Sequence, residues 1–322
     1  MRRLVTGALT GALVAFATAQ SMAQTVAIGT LEQGSVFHTM GSVISRVARD
    51  TESLGIVVQP NGGTFAMLSA TNQGLSDFAI DDVNDIIAAS QGVDEYEGNA
   101  LENLRMVINL RPLPMGLIVR KDSGIDSIDD LRGKRLPSGW SAFPIAKSHI
   151  EAVLATNDMT MDDVVGVPTT GLIRAADDFV AGRLDATYFA VGAPKVAEMN
   201  ASVGGIKYLP VADTPEALAA AQGVRAAFYI STVPPLAHLA GIEAPTPLVT
   251  WDVVVVANKD VPDETVTTLV RSILENKPAL VEAYPPFGPL NPETAAKPYP
   301  GLEYHSGAIA YFEQAGLWPA QN

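Results

Sequence analysis

Gly29-Thr30-Leu31-Glu32-Gln33-Gly34-Ser35-Val36-Phe37-His38-Thr39-Met40-Gly41 follows a short apolar run, Thr25 to Gly29, and opens a segment of different period. Beyond it Val36, Phe37, Met40, Val43, Ile44 and Val47 recur at helical spacing. A strand, a glycine-bearing turn and an amphipathic helix account for that change of period. The first turn of a helix carries unpaired N–H groups and partial positive charge, so such a loop can hold an anionic group. Ser35 supplies a hydroxyl at this start, and Phe37 and His38 supply apolar or stacking surface beside it.

The same unit repeats outward from there. Ile56 to Val58 reads as a second strand, Pro60-Asn61-Gly62-Gly63 as a turn, and Thr64 as the cap of a helix through Ala70. Asp77 to Ile80 is a third strand, and Asp81 or Asp82 caps the helix that carries Val83, Ile86 and Ile87. A βαβ series of this kind implies a parallel sheet with helices packed on it. Two apolar runs, Leu104 to Leu110 and Met115 to Arg120, are separated by Arg111-Pro112-Leu113-Pro114, a stiff extended crossing suited to leaving one lobe for another.

A second series follows. Ser127-x-x-Asp130 has capping-box spacing, and a strand from Lys134 to Pro137 leads through Ser138-Gly139-Trp140-Ser141 into a helix from about Phe143 to Leu154. Val164 to Val167, Asp185 to Phe189 and Ile206 to Val211 read as strands, with helices around Leu172 to Val180 and after Pro194 and Pro215. Ala226 to Leu248 has no clear period; Val249 to Ala257 is a strand, Pro262 to about Tyr284 a long helix, and Ser306 to Ala315 a last one. Two βα series joined by extended crossings describe an α/β molecule of two lobes. The first comprises 24–113 plus 248–322 and the second 114–247, with the cleft beyond the carboxyl ends of the strands.

Composition narrows the function. A net charge of −14 over 322 residues argues against nucleic acid, whose phosphates demand clustered Lys and Arg. Arg2 and Arg3, the weakly apolar run Leu4 to Ala19 and the small-x-small site Ser21-Met22-Ala23 read as an export signal, residues 1–23, too short and broken for a membrane span. Cleavage removes two arginines and leaves a charge of −16. With no cysteine there are no disulfides, thiolate metal sites or lipidated cysteine. A freely diffusing periplasmic protein, not embedded in membrane and monomeric, is the expectation.

Asp81-Asp82-x-Asn84-Asp85 does not meet the calcium-loop pattern, and the four histidines show no His-x-x-x-His pair. Gly-x-Ser-x-Gly and Gly-x-x-x-x-Gly-Lys are both missing. No metal, cofactor or catalytic group is therefore expected, and ligand capture is favoured over catalysis. The candidate ligand-binding residues are Ser35, Phe37, His38, Asn61, Gly63, Thr64, Asp82, Trp140, Ser141, Tyr188 and Gly192, at helix starts and strand exits, with Arg111 at the crossing. A guanidinium can grip a carboxylate through two parallel hydrogen bonds, which makes Arg111 the candidate charge-bearing contact.

Several of these motifs, in order, resemble the solute receptors of TRAP transporters in the TAXI family. Gly29-Thr30 with Gly34 to Gly41 is similar to that family's glycine-rich loop and its two aromatics, with Phe37 and His38 at the aromatic positions. Val58-Gln59-Pro60-Asn61-Gly62-Gly63-Thr64 is similar to its Val-Gln-x-Thr-Gly-Gly-Ser loop. Gly182-Arg183-Leu184-Asp185-Ala186 with Gly192-x-Pro194, and His305-x-Gly307-Ala308-x-x-Tyr311 before Gly316, match its later signatures. The resemblance implies a two-lobed periplasmic binding-protein fold of type II-like form. It also implies delivery of a small organic acid, of amino or dicarboxylate type, to the membrane subunits of an ion-gradient-driven transporter. The chain departs from the pattern at Trp140-Ser141-Ala142-Phe143-Pro144, where the family has Gly-Ser-Gly-Thr, and at Asp81-Asp82, where it has Gln-Ser-Asp. Both departures fall in expected ligand loops. A periplasmic enzyme on the same fold and a ligand-sensing receptor for a membrane kinase are the alternative functions.

Overall fold

Strand β1 (Thr25–Leu31) and helix α1 (Val36–Glu52) realise the opening motif, and the helical stripe from Val36 to Val47 is buried as its period requires. A computed structural model describes residues 25–318, so the expected export signal lies outside the described residues. The first series continues with β2 (Gly55–Asn61), α2 (Thr64–Asn72), β3 (Phe78–Asp82) and α3 (Val83–Gln91). β4 (Leu104–Arg120) then leads into β5 (Arg135–Gly139), α4 (Ile145–Ala155), β6 (Val165–Thr169), α5 (Leu172–Val180), β7 (Ala186–Ala190) and α6 (Pro194–Ser202). Next come β8 (Ile206–Tyr208), α7 (Pro215–Val224), β9 (Tyr229–Val233) and β10 (Thr246–Asn258). Helices α8 (Asp263–Glu275), α9 (Lys277–Ala283), α10 (Pro292–Ala295) and α11 (Ser306–Gln314) complete the chain.

The main sheet runs β2-β1-β3-β10-β4-β7, with β8 also paired to β4 and β9 to β10. β1 pairs with β2 and β3 in parallel, as the βαβ reading requires, whereas β10 runs antiparallel to β3, β4 and β9. The sheet is therefore mixed. β4 and β10 are long enough to serve both lobes. Toward Leu104 β4 pairs with β10, whose other edge holds β3, and Met106 bridges Tyr304; toward Arg120 it pairs with β7 and β8. Val253 to Val256 are all 0% exposed because helices cover both faces there, which explains the unbroken apolar run in β10.

Five local readings change. The two expected strands around Arg111-Pro112-Leu113-Pro114 are one strand, because the fixed φ of proline is compatible with extended backbone. β9 lies inside the stretch that shows no period, since its residues are only half-buried and neither alternation nor an apolar run marks it. The long helix expected from Pro262 breaks at Asn276, one residue before the helix that carries Pro278 near its start. Thr64 is the first helical residue of α2 rather than its cap, which is Gly63 without a side-chain hydrogen bond. Ser127-x-x-Asp130 opens only a single tight turn, Asp129–Leu131, although Asp130 does accept from the Ser127 hydroxyl at 2.9 Å.

Candidate functional site

The helix starts after β1, β2 and β3 each meet a later part of the chain, Gly34 at Lys195, Gly63 at Ala142 and Asp82 at His149. Gly34, at φ +96, lets the chain turn into α1, and the Ser35 hydroxyl accepts from the His38 N–H at 3.1 Å as its cap. Asp82 caps α3 through the Asn84 N–H at 2.8 Å. A fully buried bridge then crosses the cleft: His149 Nε2, on α4, lies 2.8 Å from Asp82 Oδ2. The His149 ring stacks on Trp251 with centroids 4.3 Å apart and meets Tyr188 at 5.5 Å. Tyr188 in turn donates to Met115 Sδ at 2.9 Å, and burial holds its phenol well above the usual range.

Around this bridge the lobes meet closely. The Lys195 N–H at the start of α6 donates to the Gly34 carbonyl at 3.2 Å, and the Ala227 N–H donates to Asn84 Oδ1 at 3.1 Å. Arg225 spans from the second lobe to Glu95 at 2.7 Å and pairs with Asp94. Gly63 approaches the 140–143 loop so tightly that a Cβ on it would lie 1.4 Å from the Ala142 carbonyl oxygen. What remains of the cleft is a cavity of about 20 Å³ lined by Ser35, Phe37, Asp82, Met115, His149 and Trp251 among others. That is room for about one water molecule. The cleft is shut.

Carboxylates gather at and behind the cleft floor, with Asp81 on the lining and Asp85 behind it. Asp81 and Asp85 are buried, and burial, reinforced for Asp81 by Asp85, holds the Asp81 carboxyl well above the usual range. Burial pushes Asp85 up to about 7, with the Asp82 and Glu95 charges adding to it and Thr64 opposing it. Thr64 is buried and does not line the cavity.

The expected site residues separate into distinct groups. Ser35, Phe37 and Asp82 line the cleft cavity together. Tyr188 and Gly63 stand beside it, the first against His149 and the second at the lobe contact. His38 turns to Thr30, with Nδ1 3.4 Å from its hydroxyl, and the Asn61 amide bonds the Gln59 carbonyl at 2.9 Å. Trp140, with the left-handed φ of +49, is buried in the core edge-on to Phe143 instead of walling the cavity. Ser141 is exposed and borders an outer groove with Thr170 and Arg174. Gly192, at φ +82, accepts from the Tyr284 hydroxyl at 2.7 Å.

Arg111 lies elsewhere. It lines a second cavity with no lining residue in common with the cleft. Leu113 and Met115 face the cleft while Pro112 and Pro114 face the second cavity, as strand alternation requires. Arg111 breaks that alternation. Leu110, beside it, is passed over in the pairing of Arg111 with Val253 and Asn109 with Val254, and such a bulge re-aims neighbouring side chains. Conversely, His149 and Trp251 were not among the expected residues. A lone histidine on an apolar helix face and a tryptophan in an apolar strand carry no local signal that they meet.

Among the described residues no group of three or more His, Cys, Asp or Glu side chains is placed to hold a metal ion, and no helix is long and apolar enough to cross a membrane.

The NMT1-like family model matches residues 28–316 of the chain. A solved structure described as a periplasmic transporter superposes with a TM-score of 0.56 at 14% identity, covering 80% of this chain and 85% of that one. A protein from Bordetella bronchiseptica RB50 superposes with a TM-score of 0.55 at 14% identity, covering 91% of this chain and 98% of that one. The shared architecture is a two-lobed α/β fold with helices packed on a curled, mixed sheet. At these identities the likeness is one of fold.

Proposed function

We propose, for a chain that belongs to the NMT1-like family, the role of a periplasmic receptor that captures a small organic acid and hands it, unchanged, to the membrane subunits of a TRAP-type transporter. The motifs that resemble the TAXI receptors support the transporter type. The observation that carries the receptor reading is the closure itself: helix starts of one lobe meet the other across a buried Asp82–His149 bridge. A receptor of this design works when ligand contacts favour the closed arrangement over the open one.

The cleft chemistry favours the amino-acid type over the dicarboxylate type. Its ionisable lining is Asp81, Asp82 and His149, and Arg111 is not part of it. The N–H groups at the start of α1 suit a carboxylate, and Asp82 suits an ammonium. A zwitterion satisfies both.

A thermal-shift screen of amino acids, dicarboxylates and neutral solutes on mature protein, followed by chromatography of the recovered ligand, tests this. A ligand at a hundred times its dissociation constant should add about 2.7 kcal/mol. Stabilisation by an amino acid recovered intact is expected. Conversion of the ligand would establish an enzyme, and stabilisation only by neutral solutes would remove the organic acid.

A further inference from the structure

The cavity that Arg111 lines measures about 440 Å³ and sits at the crossing of the lobes, between β4, β9 and the 285–289 turn. Ligand pockets commonly start near 300 Å³, so its size admits a small molecule. Its walls are mostly apolar: Pro112, Pro114, Val191, Val233, Leu239 and Pro286. Into this setting the chain brings a guanidinium.

Arg111 is 6% exposed, and its Nε and Nη1 atoms are buried without a hydrogen-bond partner. Among the described residues no ion pair reaches it either; the groups whose charge acts on it are Tyr284 and Tyr229, and His238 lines the same cavity. Neither offers an anion. The Tyr284 hydroxyl donates to the Gly192 carbonyl, and its phenol is pushed up to about 12 by burial. The Tyr229 hydroxyl donates to Asp252, whose carboxylate is already shared by Lys297 and Tyr299. Burial pushes Arg111 down to about 10, which still leaves it charged at neutral pH. A buried, charged, unpaired donor group is costly unless something pairs with it.

We propose that this hinge cavity is a second solute site, separate from the cleft, for a carboxylate carrying a compact apolar body. Nε and Nη1 are covered as they stand, so the carboxylate takes them as the guanidinium swings toward the cavity, and the proline and aliphatic walls take the body. Because the cavity is built on the crossing strand β4, on β9, which pairs with β10, and on the 285–289 turn, an occupant bears on the hinge about which the lobes move. This inference goes beyond the receptor reading and does not depend on the identity of the cleft ligand.

Titration calorimetry on the mature chain with benzoate and hexanoate, against benzyl alcohol and hexanol, tests it. Both acids should bind saturably, with the neutral analogues at least about tenfold weaker. Arg111→Gln should weaken the acids at least about tenfold, and Leu239→Trp, which fills the cavity with Arg111 intact, should abolish binding. If Arg111→Gln does not fold, Leu239→Trp carries the test. Absence of saturable binding with a Kd below about 1 mM, equal binding of the alcohols, or loss of binding in the cleft variant Leu172→Trp but not in Leu239→Trp would each overturn the proposal.

Discussion

Substituting Gly63 by alanine adds one carbon at the point where the lobes touch. Gly63 has φ −172 and ψ 164, extended backbone that alanine adopts freely, so the change carries no backbone strain of its own. The added Cβ would stand 1.4 Å from the Ala142 carbonyl oxygen and 2.5 Å from its carbon, where ordinary contact begins at 3.4 Å. The Ala142 loop has little freedom to yield, because its N–H donates to the Thr170 carbonyl at 2.8 Å and the next N–H to the Trp140 carbonyl at 3.0 Å. The lobes must part by about 2 Å at this point, and overpacking of this kind costs about 1–3 kcal/mol. The closed-to-open ratio should therefore fall roughly 5- to 150-fold. Small-angle scattering should show a larger radius of gyration, and acrylamide should quench tryptophan more strongly as Trp251 loses its cover. Gly62→Ala is the matched control, since a Cβ there meets nothing within 4 Å. A folded Gly63→Ala protein with the scattering and quenching of the parent would refute the reasoning that this contact sets closure.

Two further outcomes concern Asp85, behind the cleft floor, and Ser35, on its wall. Asp85 titrates higher folded than unfolded, so its neutral form stabilises the fold fully below about pH 3.8, and that stability is lost as pH rises toward about 7. Asp85→Asn should remove up to about 1.4 kcal/mol per pH unit of that decline between roughly pH 4 and 7, read from urea unfolding at several pH values; an unaltered pH profile would discard the assignment. Ser35→Ala removes the cap of α1 and should cost about 1 kcal/mol in the same assay, whereas an unchanged midpoint would mean the cap is replaced.

Periodicity made much of the molecule legible, because period is local. The stripe in α1, the strands β1 to β3 and the cap at Asp82 each depend on residues within a few positions of one another. The same locality explains what stayed hidden. The proline pair in β4 looks like a break until β10 supplies a partner along its length, and β9 is a strand only because β10 offers it an edge.

The candidate site divides along the same line. That Ser35 and Asp82 sit at helix starts of an α/β chain follows from residue order alone, since capping chemistry and glycine turns act over three or four residues. Tertiary structure alone decided that Asp82 meets His149, 67 residues away, and that Gly63 admits the Ala142 loop. It also decided that a bulge at Leu110 accompanies the placement of Arg111 in a cavity of its own. Those outcomes depend on how strands register and how lobes close, which no local pattern of residue types encodes.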